Sequence, residues 1–296
     1  MASAAIKTVV DMLRANPMLE GDILEMRAGM NAATAAAPAP EGTTIQAVDA
    51  GGAPAEWTDA DGVAGDAAIV YLHGGGYTMG NLDSHRNLVA GLSRAAGIRA
   101  LAVDYGLAPE NPFPKAIEDA VSAVQYVQAQ GIAPNRVILA GDSAGGGLTA
   151  ATLIALRDRG LELPAAGVLI SPWLDLTQSG ATMKSHAAID PMVSAELLEK
   201  CSAAYLAGQD AKTPLASPLF ADLSGLPPLL IHVGTSEVLL DDARRFDAAA
   251  RQAGVDSTLE EWDEMIHVWH TFSAMLPEGQ QAIDRVGAFV KERLGS

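Results

Sequence analysis

The feature that most restricts the fold is a repeated alternation of short apolar runs with segments of helical spacing. The apolar runs, all between residues 67 and 234, are AAIVYL, RALAVDY, RVILAG, AAGVLIS and PLLIHVG. The periodicity of the other segments predicts helices over residues 88–96, 116–129, 144–159 and 241–253. Continuous apolar strands that alternate with helices are typical of a parallel sheet covered on both faces. The sequence therefore predicts an α/β fold.

One interval in this alternation is too long for a single crossover helix. Residues 174–226 separate LISPW from PLLIHVG and include the helical stretch SAELLEKCSAAYLAG, so we interpret them as an insertion over the carboxyl edge of the sheet. Two segments of helical spacing begin the chain and are followed by the linker ATAAAPAPEG. After the linker, TTIQAVDA and a short partner around Trp57 predict antiparallel strands at the sheet edge.

The composition argues against several functions. The chain has 19 basic and 36 acidic side chains in 296 residues, a net charge of -17, so we expect no binding to nucleic acid or to anionic membranes. The single cysteine, Cys201, allows neither an internal disulfide nor a cysteine-rich metal site, and its helical surroundings predict a buried thiol. No stretch has the length to span a bilayer and the first residues lack the features of a signal peptide, so we expect a cytoplasmic protein.

The stretch GDSAGG, residues 141–146, follows an apolar strand and opens a long helical segment. A sharp turn from strand to helix brings backbones too close for a Cβ, which explains the glycines on both sides of Ser143. A nucleophile elbow requires this context, in which the serine hydroxyl is exposed above the sheet. The alternative is a serine that only caps a helix.

A second motif, HGGGY at residues 73–77, also follows an apolar strand. Successive glycines leave backbone N–H groups free to point at an anion, as the oxyanion of a tetrahedral ester intermediate requires. A flexible loop and a phosphate-binding loop are the alternatives, but no Gly-Lys-Ser/Thr follows and the run is not a dinucleotide fingerprint.

A serine nucleophile needs a histidine base and a carboxylate that orients the base. Where the chain order is serine, acid, histidine, the base follows the last strand, so WDEMIHVWHTF offers His267, with His270 as the alternative. The acid should follow the strand PLLIHVG, where Glu237 is nearest the strand end. Asp241 and Asp242 come later and suit the first turn of the next helix, so Asp241 is the alternative acid.

In order from about Ile69 to the C-terminus, these motifs resemble the bacterial hormone-sensitive-lipase family of α/β-hydrolase carboxylesterases. HGGGY resembles its oxyanion loop, and DYGLAPENPFPKAIEDA resembles its Asp-Tyr-Arg-Leu-Ala-Pro-Glu segment, with Gly106 where arginine is usual. GDSAGG resembles its elbow, and SEVLLDD its acid motif, with Glu237 where aspartate is usual. MIHVWHTF aligns His267 with the family's histidine.

The resemblance implies a serine carboxylesterase for short- to medium-chain carboxylic esters, with no metal and no cofactor. Ser143 would attack the ester, His267 would move the proton, and Glu237 would orient the imidazole. The implied oxyanion donors are the N–H groups of Gly75, Gly76 and Ala144. The implied partner is a small-molecule ester, and because dimers are common in the family a homodimer is left open.

The resemblance also implies a helical cap, formed by residues 1–38 and 174–217, over a core formed by residues 39–173 and 218–296. Apolar residues near the cap or the strand ends are candidates for the substrate pocket, although each could equally belong to the cap core. The pocket candidates are Met18, Met79, Trp173, Met183, Met192, Val193, Leu206 and Trp269. A ligand-binding module that has lost the chemistry, and a peptidase or amidase with the same elbow, are competing interpretations.

Overall fold

A computed structural model describes residues 2–15, 21–35 and 39–295. In this part of the chain, eight strands form one sheet in the order β1-β2-β4-β3-β5-β6-β7-β8. The strands are β1 Thr43–Asp49, β2 Pro54–Ala60, β3 Ala64–Leu72, β4 Ile98–Val103, β5 Val137–Asp142, β6 Ala166–Ile170, β7 Leu229–Gly234 and β8 Ser257–Trp262.

Pairing within the sheet is parallel from β4 across to β8. The first two strands are antiparallel, β1 to β2 and β2 to β4, and they form one edge of the sheet. The predicted α/β fold and the predicted antiparallel pair around Trp57 are both confirmed. Because six strands are parallel, their carboxyl ends all meet at the same edge.

The part of the chain that the structure describes also contains nine α-helices. They are α1 Ala5–Ala15, α2 Ile23–Thr34, α3 Leu82–Ala96, α4 Lys115–Ala129, α5 Ala144–Asp158, α6 Thr182–Ser185, α7 Ala195–Leu206, α8 Leu240–Gln252 and α9 Pro277–Leu294. All four helices predicted from periodicity are present as α3, α4, α5 and α8. The predictions did not include α9, although Ile283, Val286 and Val290 recur along it at helical spacing and are buried.

The apolar strands bury side chains on both faces, as a covered parallel sheet requires. In β3, Val70 and Leu72 join the larger apolar cluster, which includes side chains of α4, α5 and α8. The alternate residues Ile69 and Tyr71 join a second cluster with side chains of α3 and α9. This period of two, with apolar residues on both sides, explains why the runs read as continuous rather than alternating.

Two groups of helices belong to the regions predicted to form the cap. In the N-terminal region these are α1 and α2, and in the inserted region they are α6 and α7. The two regions touch, because Arg14 of α1 donates to the carbonyl oxygens of Ala188 and Ile189 at 3.2 and 3.3 Å. Among the residues described, no helix has both the length and the apolar content needed to cross a membrane.

Candidate active site

The turn between β5 and α5 carries Ser143 in a strained conformation. Its φ of 54° and ψ of -120° are rarely adopted by a residue other than glycine. A Cβ on Gly145 would lie 1.9 Å from the carbonyl oxygen of Leu72, and one on Gly141 would lie 2.3 Å from that of Gly145. Both glycines are therefore required by close backbone approach. Between residues 137 and 156, every residue except Ser143 is buried, so the turn presents this side chain to solvent.

The backbone of Ser143 is fixed against the end of β6. Its N–H donates to the carbonyl oxygen of Ile170 at 2.8 Å, and its own carbonyl accepts from the N–H of Trp173 at 2.9 Å. These bonds hold the turn at the carboxyl edge of the sheet, beside Ser171.

The segments after β7 and β8 bring Glu237 and His267 together. His267 Nδ1 lies 2.8 Å from Glu237 Oε2, and both side chains are buried. An ionised carboxylate only accepts hydrogen bonds, so Nδ1 carries the hydrogen and a neutral imidazole has its lone pair on Nε2. Burial lowers the pKa of His267, but the hydrogen bond and charge of Glu237 outweigh burial and raise the pKa above its ordinary value of 6.5.

The alternative acid, Asp241, has different partners. Its carboxylate accepts from the N–H of Thr182 at 3.1 Å, and its own N–H donates to Thr182 Oγ1 at 3.0 Å. The next residue, Asp242, accepts from the N–H groups of Leu174 and Asp175, and burial raises its pKa to about 7. Both aspartates therefore attach the inserted region to α8, whereas Glu237 is the carboxylate in contact with His267.

The alternative base, His270, is paired with another histidine. His270 Nε2 lies 3.1 Å from His232 Nδ1, and His232 Nε2 lies 3.2 Å from Glu260 Oε2. Both rings are fully buried. Burial lowers the pKa of each imidazole, and in His270 the neighbouring His232 lowers it further. His232 lies in β7 and is a core side chain.

Ser171 belongs to the site, and sequence reasoning missed it. Its hydroxyl donates to Glu237 Oε1 at 2.7 Å and accepts from the N–H of Val268 at 3.0 Å. Ser143 donates to the carbonyl of Ile170, the residue before Ser171, and His267 is the residue before Val268. The predicted nucleophile and the predicted base therefore both lie close to Ser171. The only available signal was position: Ser171 directly follows the strand beside β5, at the edge where the other site residues lie.

The glycine-rich segment after β3 is a tight turn attached to the Ser143 turn. Gly75 has a φ of 116°, and its carbonyl accepts from the N–H groups of Thr78 and Met79 at 3.0 and 2.8 Å. A Cβ on Gly75 would lie 2.2 Å from the Met79 carbonyl oxygen. The N–H of Gly74 donates to Asp142 Oδ1 at 3.0 Å, which links the segment to the residue before Ser143.

His73 directly precedes the glycines of this turn and supports it. Its ring stacks on Tyr105 with centroids 4.4 Å apart, and the Tyr105 hydroxyl donates to the His73 carbonyl at 2.7 Å. Burial, together with the charge of His85, lowers the pKa of His73 to about 4. The imidazole is therefore neutral near pH 7, as suits a structural role in the loop.

Arg27 is a second residue that sequence reasoning missed. Its guanidinium donates to the carbonyl oxygens of Thr78, at 2.6 Å, and Ala108, and it pairs with Glu110 at 2.9 Å. Helix α2 is thereby held against the end of the glycine-rich turn. The only signal in the sequence was one arginine among the apolar residues of an N-terminal helix.

The pocket candidates fall into three groups. Five of them are buried in the larger apolar cluster, namely Met79, Trp173, Met183, Val193 and Leu206. Met192 is partly buried against that cluster, and Trp269 lies in a separate cluster with side chains of α1 and α9. Met18 lies outside the described residues.

Two further observations concern other places for a ligand. A surface cleft of about 580 Å³ is lined by Gly21, Asp22, Ile23, Leu24 and Lys200, and none of the pocket candidates within the described residues lines it. In residues 2–15, 21–35 and 39–295, no group of three His, Cys, Asp or Glu side chains is arranged to hold a metal ion.

Known proteins resemble this chain over most of its length. A family model described as the alpha/beta hydrolase fold matches residues 69–271. An acetyl-hydrolase of Streptomyces hygroscopicus is 52% identical over 227 residues, which cover 77% of this chain and 76% of that protein.

Solved structures agree over the whole chain. A crystal structure of EstE5 has a TM-score of 0.96 at 49% identity and covers 100% of both chains. An esterase from the bacterial hormone-sensitive lipase family has a TM-score of 0.96 at 44% identity and also covers 100% of both chains. With its fold, its glycine-rich turn and its strained serine, the chain belongs to the alpha/beta hydrolases and, among them, to the bacterial hormone-sensitive-lipase family of esterases.

Proposed function

We propose that this protein is a serine carboxylesterase that hydrolyses short- to medium-chain carboxylic esters with Ser143, His267 and Glu237. The observation that carries the proposal is the 2.8 Å contact between His267 Nδ1 and Glu237 Oε2, at the edge of the sheet where Ser143 is partly exposed. This contact leaves Nε2 of a neutral His267 to accept a proton. The names of the relatives, esterase and acetyl-hydrolase, support the same reaction.

In the acylation step, Ser143 Oγ attacks the ester carbonyl carbon and its proton passes to His267 Nε2. The carbonyl oxygen becomes an oxyanion, which the N–H groups of Gly75, Gly76 and Ala144 stabilise. Such donors are already oriented before the reaction, and the loss of one typically costs about 10²–10³ in rate. The intermediate collapses as the bond to the alkoxy oxygen breaks, and His267 gives its proton to the leaving alcohol.

In the deacylation step, a water molecule gives a proton to His267 and attacks the acyl carbon. Collapse of this second intermediate releases the carboxylic acid, and Ser143 Oγ recovers its proton from His267. In both steps Glu237 holds the imidazole and stabilises its charged form.

The proposed substrates have short acyl chains. Support comes from the name of the relative, acetyl-hydrolase. A series of p-nitrophenyl esters from acetate to palmitate measures this preference. We expect the highest kcat/KM at acetate or butyrate and faster hydrolysis of tributyrin than of triolein. A maximum at palmitate would contradict the proposed acyl length.

The test of the reaction itself is Ser143→Ala. We expect this variant to lose hydrolysis of p-nitrophenyl butyrate and labelling by a fluorophosphonate, while its circular dichroism spectrum and melting temperature stay close to those of the unmodified protein. Ser224→Ala, at an exposed serine, is the matched control and should keep both activities. Turnover retained by folded Ser143→Ala would refute the proposal.

A further inference from the structure

One face of α7 in the inserted region packs on the glycine-rich turn. Cys201 and Tyr205 lie one helical turn apart on this face. The Tyr205 ring stacks on Tyr77 with centroids 3.8 Å apart and an interplanar angle of 6°. Cys201 Sγ lies 3.3 Å from Thr78 Oγ1, and a Cβ on Gly76 would lie only 2.7 Å from this sulfur. Helix α7 therefore contacts three successive residues of the turn.

Tyr77 is the part of the turn that most needs external support. Its φ of 61° is unusual for a bulky side chain, and such a conformation persists only where the surroundings enforce it. Its ring extends toward α5, because a Cβ on Gly147 would lie 3.0 Å from the Tyr77 hydroxyl oxygen. Tyr205 covers this ring. The ring of Trp173 is tilted relative to that of Tyr77, with the two centroids 6.0 Å apart.

Tyr205 contributes through its ring rather than its hydroxyl. Phe113 contacts the ring edge-on with centroids 5.7 Å apart, and the N–H of Phe113 donates to the Tyr205 carbonyl at 2.8 Å. Among the described residues, the buried Tyr205 hydroxyl oxygen has no hydrogen-bond partner. A buried unpaired hydroxyl adds no stability, so a phenylalanine at this position preserves what holds Tyr77.

We infer that Tyr205 is a positioning residue for the oxyanion donors. Its ring holds Tyr77, and Tyr77 directly follows Gly75 and Gly76, whose N–H groups the proposed function requires at fixed positions. The cap helix thus helps to hold the oxyanion hole as well as covering the core. This inference rests on the proposed function, and stacked aromatic rings of this kind attract each other beyond the effect of the area that they bury.

The experiment compares p-nitrophenyl butyrate with its thiono analogue, in which sulfur replaces the carbonyl oxygen. An enzyme whose oxyanion hole is arranged for oxygen hydrolyses the oxygen ester much faster than the sulfur analogue. The ratio of kcat for the oxygen ester to kcat for the sulfur analogue therefore reports the geometry of the donors. For Tyr205→Leu we expect kcat on the oxygen ester to fall about 10-fold, a fraction of the cost of a lost donor. KM should change little and the ratio should fall. Tyr205→Phe should keep kcat and the ratio close to those of the unmodified protein.

Phe220→Leu is the matched control, since it removes a partly buried aromatic ring near the end of the inserted region that does not stack on the turn. It should keep the unmodified ratio. Active sites are counted with a fluorophosphonate, so that a loss of folded enzyme does not lower kcat. A ratio unchanged in Tyr205→Leu would overturn the inference, because a general loss of structure slows both substrates equally.

If Tyr205→Leu does not fold, Tyr205→Met tests the same position with a longer apolar side chain. The methionine has no ring to stack on Tyr77, so the ratio should again fall, and an unchanged ratio would contradict the inference. Failure of this inference is distinguishable from failure of the proposed function. In the first case Ser143→Ala is inactive and only the ratio is constant, whereas in the second Ser143→Ala remains active.

Discussion

The hydroxyl of Ser171 donates a hydrogen bond of 2.7 Å to Glu237 Oε1, on the carboxylate whose other oxygen faces His267. The same hydroxyl accepts from the N–H of Val268, the residue after His267, at 3.0 Å. One buried side chain therefore joins the proposed acid to the backbone that carries the proposed base. The orientation of the imidazole depends on both bonds.

Ser171→Ala should lower kcat for p-nitrophenyl butyrate about 10- to 100-fold, with little change in KM. The variant removes one donor from Glu237 Oε1 and leaves the buried N–H of Val268 without its acceptor. An unsatisfied buried polar group lowers the free energy of unfolding by about 1–3 kcal/mol. Ser171→Gly distinguishes the hydroxyl from the backbone, because Ser171 has a φ of 46° that glycine adopts without strain. Both variants should lose similar activity. A Ser171→Gly enzyme with unmodified kcat would show that the hydroxyl is dispensable.

Glu237→Gln and Asp241→Asn should differ sharply in activity. The glutamine keeps the size of the side chain but removes the charge that holds His267 in its reactive tautomer, and comparable changes lower kcat by about 10²–10⁴. Asp241 contacts Thr182 instead, so Asp241→Asn should keep kcat within about twofold. Steady-state kinetics on the two purified variants measure the difference. The reverse order of losses would assign the acid to Asp241.

The pH profile of kcat/KM should show an acid limb with its midpoint above pH 6.5. His267 must be neutral to accept a proton, and the hydrogen bond and charge of Glu237 raise its pKa above the ordinary value despite burial. Activity is therefore lost as the pH falls through the raised pKa. In Glu237→Gln the largest raising influence is removed while burial still lowers the pKa of His267, so the midpoint of the remaining activity should move to lower pH. A midpoint that stays in place would show that another group controls the limb.

The parts of the site that could be predicted from sequence are those with a local signature. Gly141 and Gly145 flank Ser143 within five residues, and their spacing alone demanded the close backbone approach that the structure has. The order of motifs along parallel strands then predicted which segments meet at the carboxyl edge. The sequence favoured Glu237 over Asp241 by its distance from the strand end, and Glu237 is the carboxylate that contacts His267.

The residues that sequence reasoning missed act through contacts between distant segments. Ser171 has no neighbours in sequence that mark it, and its importance comes from bonds to residues 66 and 97 positions away. Arg27 likewise donates a hydrogen bond to the carbonyl of Thr78, which lies 51 residues further along the chain. Tyr205 is one aromatic residue on an amphipathic helix, where packing anywhere in the inserted region is an equal expectation. No spacing rule identifies such partners before the fold is known.

The buried pair of His232 and His270 should make the protein less stable in mild acid. In the unfolded chain, His270 binds a proton near pH 6.5, whereas burial and the neighbouring His232 keep its pKa in the folded protein well below that value. The unfolded state therefore binds more protons as the pH falls below about 6.5. This difference lowers the free energy of unfolding by up to about 1.4 kcal/mol per pH unit for each such group.

His270→Gln removes this proton uptake and keeps a side chain that can hydrogen-bond to His232. We expect the free energy of unfolding, measured by urea denaturation from about pH 5 to pH 7, to fall less steeply with acid in the variant than in the unmodified protein. The slope is the informative quantity, because a packing change shifts stability equally at every pH. Parallel slopes would mean that His270 takes up its proton without unfolding. The buried Nδ1 argues against this, because it has no hydrogen-bond partner in the part of the chain that the structure describes.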